Sequence, residues 1–222
     1  AITYSACTNF SAFDKRPSEG IIEYEVSFPY LYDDVGLLKS LLPDKMQLYF
    51  KREAYVSELS TVGGMFKNRF VSNQDDEILV HQLKVFKKRI AANYDTNGVN
   101  RLLGSLPNLT IIETNESDSI AGYHCKKAIG VFDDISMPEM TIYYTDDINI
   151  LNPNWCTQFY SIPGVLMQYE VEQFGVRMRF RAISVIPGEV KEDLLLPEPG
   201  YEDVEHDALQ TELELILDTF NL

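Results

Sequence analysis

Hydrophobic and polar residues alternate along most of this chain with a period of two. "IIEYEVSF" sets Ile22, Tyr24, Val26 and Phe28 on one face and Glu23, Glu25 and Ser27 on the other. That pattern predicts a strand with one buried and one wet face. "KMQLYFKR" repeats it with Met46, Leu48 and Phe50, and "AYVSELST" follows. "MFKNRFVS" places Phe66, Asn68 and Phe70 opposite Met65, Lys67, Arg69 and Val71, and "EILVHQLKVFKKRIAANY" supplies one or two further strands. The second half continues with "LTIIETNE", "GYHCKKAIGVF", "EMTIYYTDD", "GVLMQYEVEQFG" and "VRMRFRAISVI". Polar turns such as Gly63-Gly64, "NQDDE" and Ala121-Gly122 separate them. Short strands at steady spacing predict a large antiparallel sheet that curls or closes.

Three segments leave the alternation. "LYDDVGLLKSLLPDK" has Val35, Leu38, Leu41 and Leu42 at helical spacing after two aspartates and before Pro43, which predicts a helix over residues 34 to 42. "DTNGVNRLLGSLPN" reads as a second short helix. "DALQTELELILDTF" carries Leu209, Leu213, Ile216, Leu217 and Phe220 as the apolar stripe of a C-terminal helix. With no βαβ alternation, a Rossmann or P-loop architecture is not expected. The fold class is mainly β (α+β). Residues 1 to 20 read as a signal remnant or tether, 21 to 200 as the sheet domain, and 201 to 222 as an acidic helix on or beside it.

Charge narrows the partners. Nineteen Lys and Arg stand against 34 Asp and Glu, a formal net charge of -15. Such a surface repels phosphate backbones and anionic lipid headgroups, so nucleic acid is not an expected partner. No run approaches the roughly 20 apolar residues of a membrane-spanning helix. Tyr4-Ser5-Ala6-Cys7 matches a bacterial lipobox at three places, with Tyr4 where Leu is usual. Cys7 is thus a candidate for lipidation, with residues 1 to 6 as the end of a signal peptide.

Candidate chemistry is sparse. The nucleophile-elbow, zinc-protease, P-loop and dinucleotide motifs are missing, and no cofactor or metal is expected. His124-Cys125-Lys126-Lys127 resembles a reactive site, yet neighbours on a strand face opposite ways. Cys125 therefore reads first as a small buried hydrophobe and second as half of a disulfide with Cys156, with catalysis last. The Asp-Asp pairs at 33, 75, 133 and 146 suit turns and caps better than calcium loops. Trp155 reads as core.

One stretch carries a family resemblance. In "IIETNESDSIAGYHCKKAIGVF", residues Thr114, Glu116, Ile120, Gly122, Tyr123, Cys125, Lys127 and Ala128 match a hallmark of Bacteroidetes envelope proteins. Pro163, Gly164, Val165 and Leu166, followed by Glu170, resemble the segment that gives the GLPGLI family its name. "LLLPEPGY" resembles the family's closing motif, with Leu195 in place of Phe, and Ile162 departs from the usual Leu. Asp118-Ser119-Ile120 is similar to a short O-glycosylation acceptor of such proteins, at Ser119.

The resemblance spans roughly residues 20 to 200 and implies a fold similar to the LolA and LolB lipoprotein carriers. That fold is a half-barrel sheet with helices across its concave face and an apolar cavity between them. It implies no catalytic residue. Candidate liners are Leu37, Leu38, Leu41, Leu42, Met46, Leu48, Phe50, Met167 and Met178. Two roles follow as expectations for a non-catalytic lipoprotein of the bacterial envelope, anchored at the outer membrane through Cys7. One is an accessory subunit of an envelope complex. The other is a carrier or sensor of lipid or acyl ligands.

Overall fold

Each polar turn reverses the chain, and the alternating segments pair with their neighbours in two meanders. A computed structural model describes residues 14–30, 42–61 and 63–218. Cys7, Leu37, Leu38, Leu41, Phe220 and the helix predicted over 34 to 42, save Leu42, lie outside the described residues. The first meander runs through β2 (Lys45–Lys51), β3 (Ala54–Ser60), β4 (Phe66–Asn73), β5 (Ile78–Val85) and β6 (Lys88–Tyr94). The second runs through β7 (Leu109–Ile120), β8 (Tyr123–Phe132), β9 (Met140–Thr145), β10 (Val165–Gln173) and β11 (Val176–Pro187). β1 (Glu19–Ser27) joins them, pairing with β2 on one side and β11 on the other.

The result is one curved, unclosed sheet of twelve strands, as the pattern predicts. β7 forms one end, and β12 (Glu202–Asp203) forms the other, pairing parallel with β6. Register shifts at Glu23/Tyr24, Glu113/Ser117 and Leu166/Gln168 add bulges, and bulges increase bend and twist. The β7–β8 hairpin turns at Ala121-Gly122, both at positive φ (49° and 84°), the mirror-image turn that right-twisted strands prefer.

Two helices follow the expected signals. α1 (Thr96–Gly104) is capped by Asp95, whose carboxylate accepts from the Gly98 N–H at 2.7 Å. α2 (His206–Asp218) turns Leu209, Leu213 and Leu217 inward, all in the main core with Ile22, Tyr24, Phe50 and Leu83. Each buried leucine contributes about 1.5–3 kcal/mol, which holds an otherwise acidic helix on the sheet.

The exit segment after β11 has a structural task. Val56, Val71 and Val80 stand in register across β3, β4 and β5, and Val190 and Leu195 cover them. Beside this valine row lies Arg69, only 2% exposed. Its Nη2 donates to the Leu194 carbonyl at 2.6 Å, and its guanidinium lies within 4 Å of Glu58 and Glu198. Gln82 clamps the Glu198 backbone at both its N–H and its carbonyl, 2.9 and 2.8 Å. Residues 188 to 201 are thus a strap over the second face of the sheet.

The Ile-Pro-Gly-Val segment also gains a physical reason. The buried Asn154 side chain donates to the carbonyls of Ile162 and Gly164, at 2.8 and 2.9 Å. That draws the chain so close to β9 that a Cβ on Gly164 would sit 2.5 Å from the Thr145 carbonyl oxygen. Backbone cannot yield there as a flexible side chain can. Gly164→Ala is expected to cost about 1–3 kcal/mol, as overpacking does, read as a lower urea midpoint with unchanged slope.

Candidate functional site

The inside of the curl is not filled. α1, α2 and the loop between β9 and β10 approach the sheet and leave two adjoining hollows, of about 220 Å³ and 260 Å³. The inner one lies among Met46, Leu48, Leu59 and Phe70 of the sheet, Leu102, Leu103 and Leu106 at α1, and Ile150 and Phe159 of the loop. The outer one lies among Phe28, Leu42, Phe66, Val85 and Phe86, with Leu213 and Leu217 of α2. Leu59, Asn68, Gln173 and Met178 line both. Among the described residues, no Asp, Glu, Lys, Arg or His lines either hollow, in a chain that is 24% charged.

Aromatic rings build the inner wall. Tyr169 stacks on Phe180 at 4.9 Å and meets Tyr24 and Phe159 edge-on at 6.2 and 5.5 Å. Burial pushes the Tyr24, Tyr55 and Tyr169 hydroxyls well up, so they are neutral. Tyr24 donates to the Leu166 carbonyl at 2.8 Å. Of the polar side chains in the walls, Asn68 and Gln173 sit at the junction of the hollows. Gln173 donates to Gln210 of α2 at 3.2 Å, and Gln210 donates to the Tyr94 hydroxyl at 3.3 Å, a bridge from β10 across α2 to β6. Asn68 keeps its carbonyl oxygen on His81 Nε2, at 2.5 Å.

Of the sequence-predicted liners, Leu42, Met46, Leu48 and Met178 border the hollows. Phe50 and Met167 do not: both are 0% exposed within the solid core. The bulge between Leu166 and Gln168 explains Met167, because it breaks the alternation and sinks Val165, Leu166 and Met167 together. The Cys125–Cys156 disulfide, the second reading of Cys125, is not formed. Both thiols are free and buried, in separate settings. Cys125 Sγ turns to the Tyr123 carbonyl at 3.4 Å, while Cys156 Sγ lies 3.2 Å from the Tyr55 hydroxyl, beside Ser72. Burial pushes both thiols up, away from thiolate. His124 is exposed where Cys125 is buried, as strand geometry requires. Trp155 is half-buried, donating to Ser72 Oγ at 2.8 Å. Ser119 is exposed on β7.

His81 is a component that the sequence reading passed over, although Leu79, His81 and Leu83 share one parity of β5. Its ring is 0% exposed, stacked on Phe70 at 4.0 Å, with Nδ1 left without a hydrogen-bond partner. Desolvation lowers its pKa from 6.5 to about 3, so it is neutral in the folded protein. The unfolded chain binds a proton below pH 6.5 and the native state does not until about pH 3. Stability held above pH 6.5 is therefore lost as pH falls, by roughly 1.4 kcal/mol per pH unit. Urea unfolding at pH 6.5 and 5 should show that slope. His81→Leu should flatten it, in a range above the titration of the carboxylates.

No family model matches the chain, and no curated protein matches it. Two solved structures are similar to it in part. One is a beta-barrel-like protein of the domain of unknown function DUF1849 from Brucella abortus, with TM-score 0.32 and 10% identity, covering 78% of this chain and 99% of that one. The other is LprF from Mycobacterium bovis, with TM-score 0.29 and 12% identity, covering 82% of this chain and 90% of that one.

Proposed function

We propose that this protein binds an apolar, acyl-chain-bearing ligand in the two adjoining hollows, as a carrier or sensor of lipids in the bacterial cell envelope. The observation that carries the reading is the lining of both hollows between the sheet and its helices, uncharged among the described residues. An apolar hollow left empty forfeits dispersion contacts on every wall, and a hydrocarbon chain restores them without any directional chemistry. Side by side, the two volumes come within the roughly 300–1,000 Å³ of small-molecule sites. Asn68 and Gln173 at the junction suit a ligand with a carbonyl or hydroxyl partway along its chain.

The motif resemblance to GLPGLI proteins supports an envelope location and a LolA-like mode of holding acyl chains, with Cys7 as the proposed anchor. The accessory-subunit role has less behind it, because α2 is held on the core by Leu209, Leu213 and Leu217.

The test is titration of delipidated protein with a dansyl-labelled fatty acid. Saturable one-to-one binding with blue-shifted emission is expected. Leu48→Trp in the inner hollow, and Gln173→Trp at the junction, should each weaken it by about tenfold or more, since displaced CH2 groups are worth about 0.8 kcal/mol apiece. Both substitutions are at half-buried positions, and melting curves separate lost binding from lost folding. Absence of saturable binding in the folded, delipidated chain would sink the proposal.

A further inference from the structure

The outer hollow opens beside an unusual hairpin tip. β5 and β6 pair up to Val85 and Lys88, so Phe86 and Lys87 alone make the turn. Phe86 has φ +52°, a left-handed conformation that turns normally assign to Gly, Asn or Asp. A bulky aromatic there is strained, and the strain does not serve burial, since Phe86 is 65% exposed. The Phe86 N–H donates to the Met65 carbonyl at 2.7 Å, which stitches this tip to the β3–β4 turn. Met65 is 42% exposed, and Leu215 of α2, on the same rim, is 61% exposed. Three large apolar side chains thus face outward around one opening.

The charge at this tip opposes that of the whole molecule. "KVFKKR" places Lys84, Lys87, Lys88 and Arg89 around Phe86. Lys88 pairs with Glu212, which fastens α2 beside the tip. Lys84 and Lys87 carry no ion pair among the described residues, and Lys84 Nζ reaches over Gly64, within 3.8 Å of where its Cβ would stand. A net charge of -15 argues against anionic surfaces only at distances where it acts as a whole. Screening confines each charge to about 8 Å at physiological salt, so a surface touching this tip meets lysines.

We infer that the Met65–Phe86–Leu215 rim, with Lys84 and Lys87, docks the open end of the hollow on an anionic lipid surface. The aromatic and the methionine enter the headgroup boundary while the lysines meet phosphate. Each lysine is worth on the order of fivefold in binding at such a surface. The geometry places the outer hollow against the membrane, the position from which an acyl chain can enter without crossing water. This deepens the ligand-binding reading and rests on it for the purpose of docking, but not for the docking itself.

The experiment is flotation of the unacylated chain with vesicles of phosphatidylcholine alone and with roughly a third phosphatidylglycerol, at low and high salt. Binding to the anionic vesicles alone, weakened by salt, is expected. Phe86→Ser should reduce it severalfold, and Lys84→Glu with Lys87→Glu should abolish it with the melting temperature unchanged. Equal binding to both vesicles, no binding, or wild-type binding by these variants overturns the inference. So does salt-sensitive capture of an acidic envelope protein without vesicle binding. The lysine variant should still bind the dansyl fatty acid in vesicle-free buffer. If wild type fails to bind that probe yet floats with anionic vesicles, the cavity reading falls and the docking stands.

Discussion

A twisted sheet of twelve strands must curl, and the inside of the curl cannot be filled by the sheet itself. Side chains on a concave face converge, but those here reach only part of the way across. Whatever covers that face determines whether the interior becomes solid. The main core is solid where Ile22, Phe50, Leu83, Ala92 and Leu209 are buried together. It stays hollow towards the end of α1 and the loop before β10, and again beside Leu213 and Leu217 of α2. Among the described residues, the hollows go with a wide sheet and the shortness of α1 and α2.

The second face shows the opposite solution. An antiparallel sheet usually leaves one face wet. Across β3, β4 and β5 the chain instead lays residues 188 to 201 over three valines. The strap is held by Arg69 reaching its carbonyl and by Gln82 clamping its backbone. Arg69 leaves Nε and Nη1 without hydrogen bonds, at ion-pair distances from Glu58 and Glu198. Buried pairs of that kind contribute more to fixing position than to net stability. With its outer face braced, the sheet keeps its curvature, and the hollow keeps its shape without needing to be filled.

How much of this was legible in the sequence follows from what range of interaction sets each feature. Strands, hairpins, α1 and α2 depend on local alternation, turn residues and caps, and they stand where the pattern put them. Met46, Leu48 and Met178 were found as liners because parity along a strand survives folding. Met167 was misplaced because one bulge resets parity, and nothing local in "GVLMQYE" announces it. The strap was missed because its partners, Arg69 and Gln82, lie more than 100 residues away in sequence. His81 is legible by parity with Leu79 and Leu83, although a histidine is not a residue type that parity arguments place in a core. The separation of Cys125 from Cys156 depends on sheet order, which spacing does not encode.

Charge shows the same division between global count and local placement. The acidic total, a formal net charge of -15, describes the molecule only as a whole. Yet among the described residues no charged side chain lines either hollow, and the tip at their opening gathers lysines around an exposed phenylalanine. A chain with acidic groups spread at random would not produce that contrast. Uncharged walls lower the cost of holding hydrocarbon, and a cationic, apolar rim lowers the cost of approaching the surface that supplies it. On the proposed reading, the two features would favour the same ligand from opposite sides of one opening. That is why the rim and the hollow are better understood as parts of a single site than as separate accidents of the surface and the core.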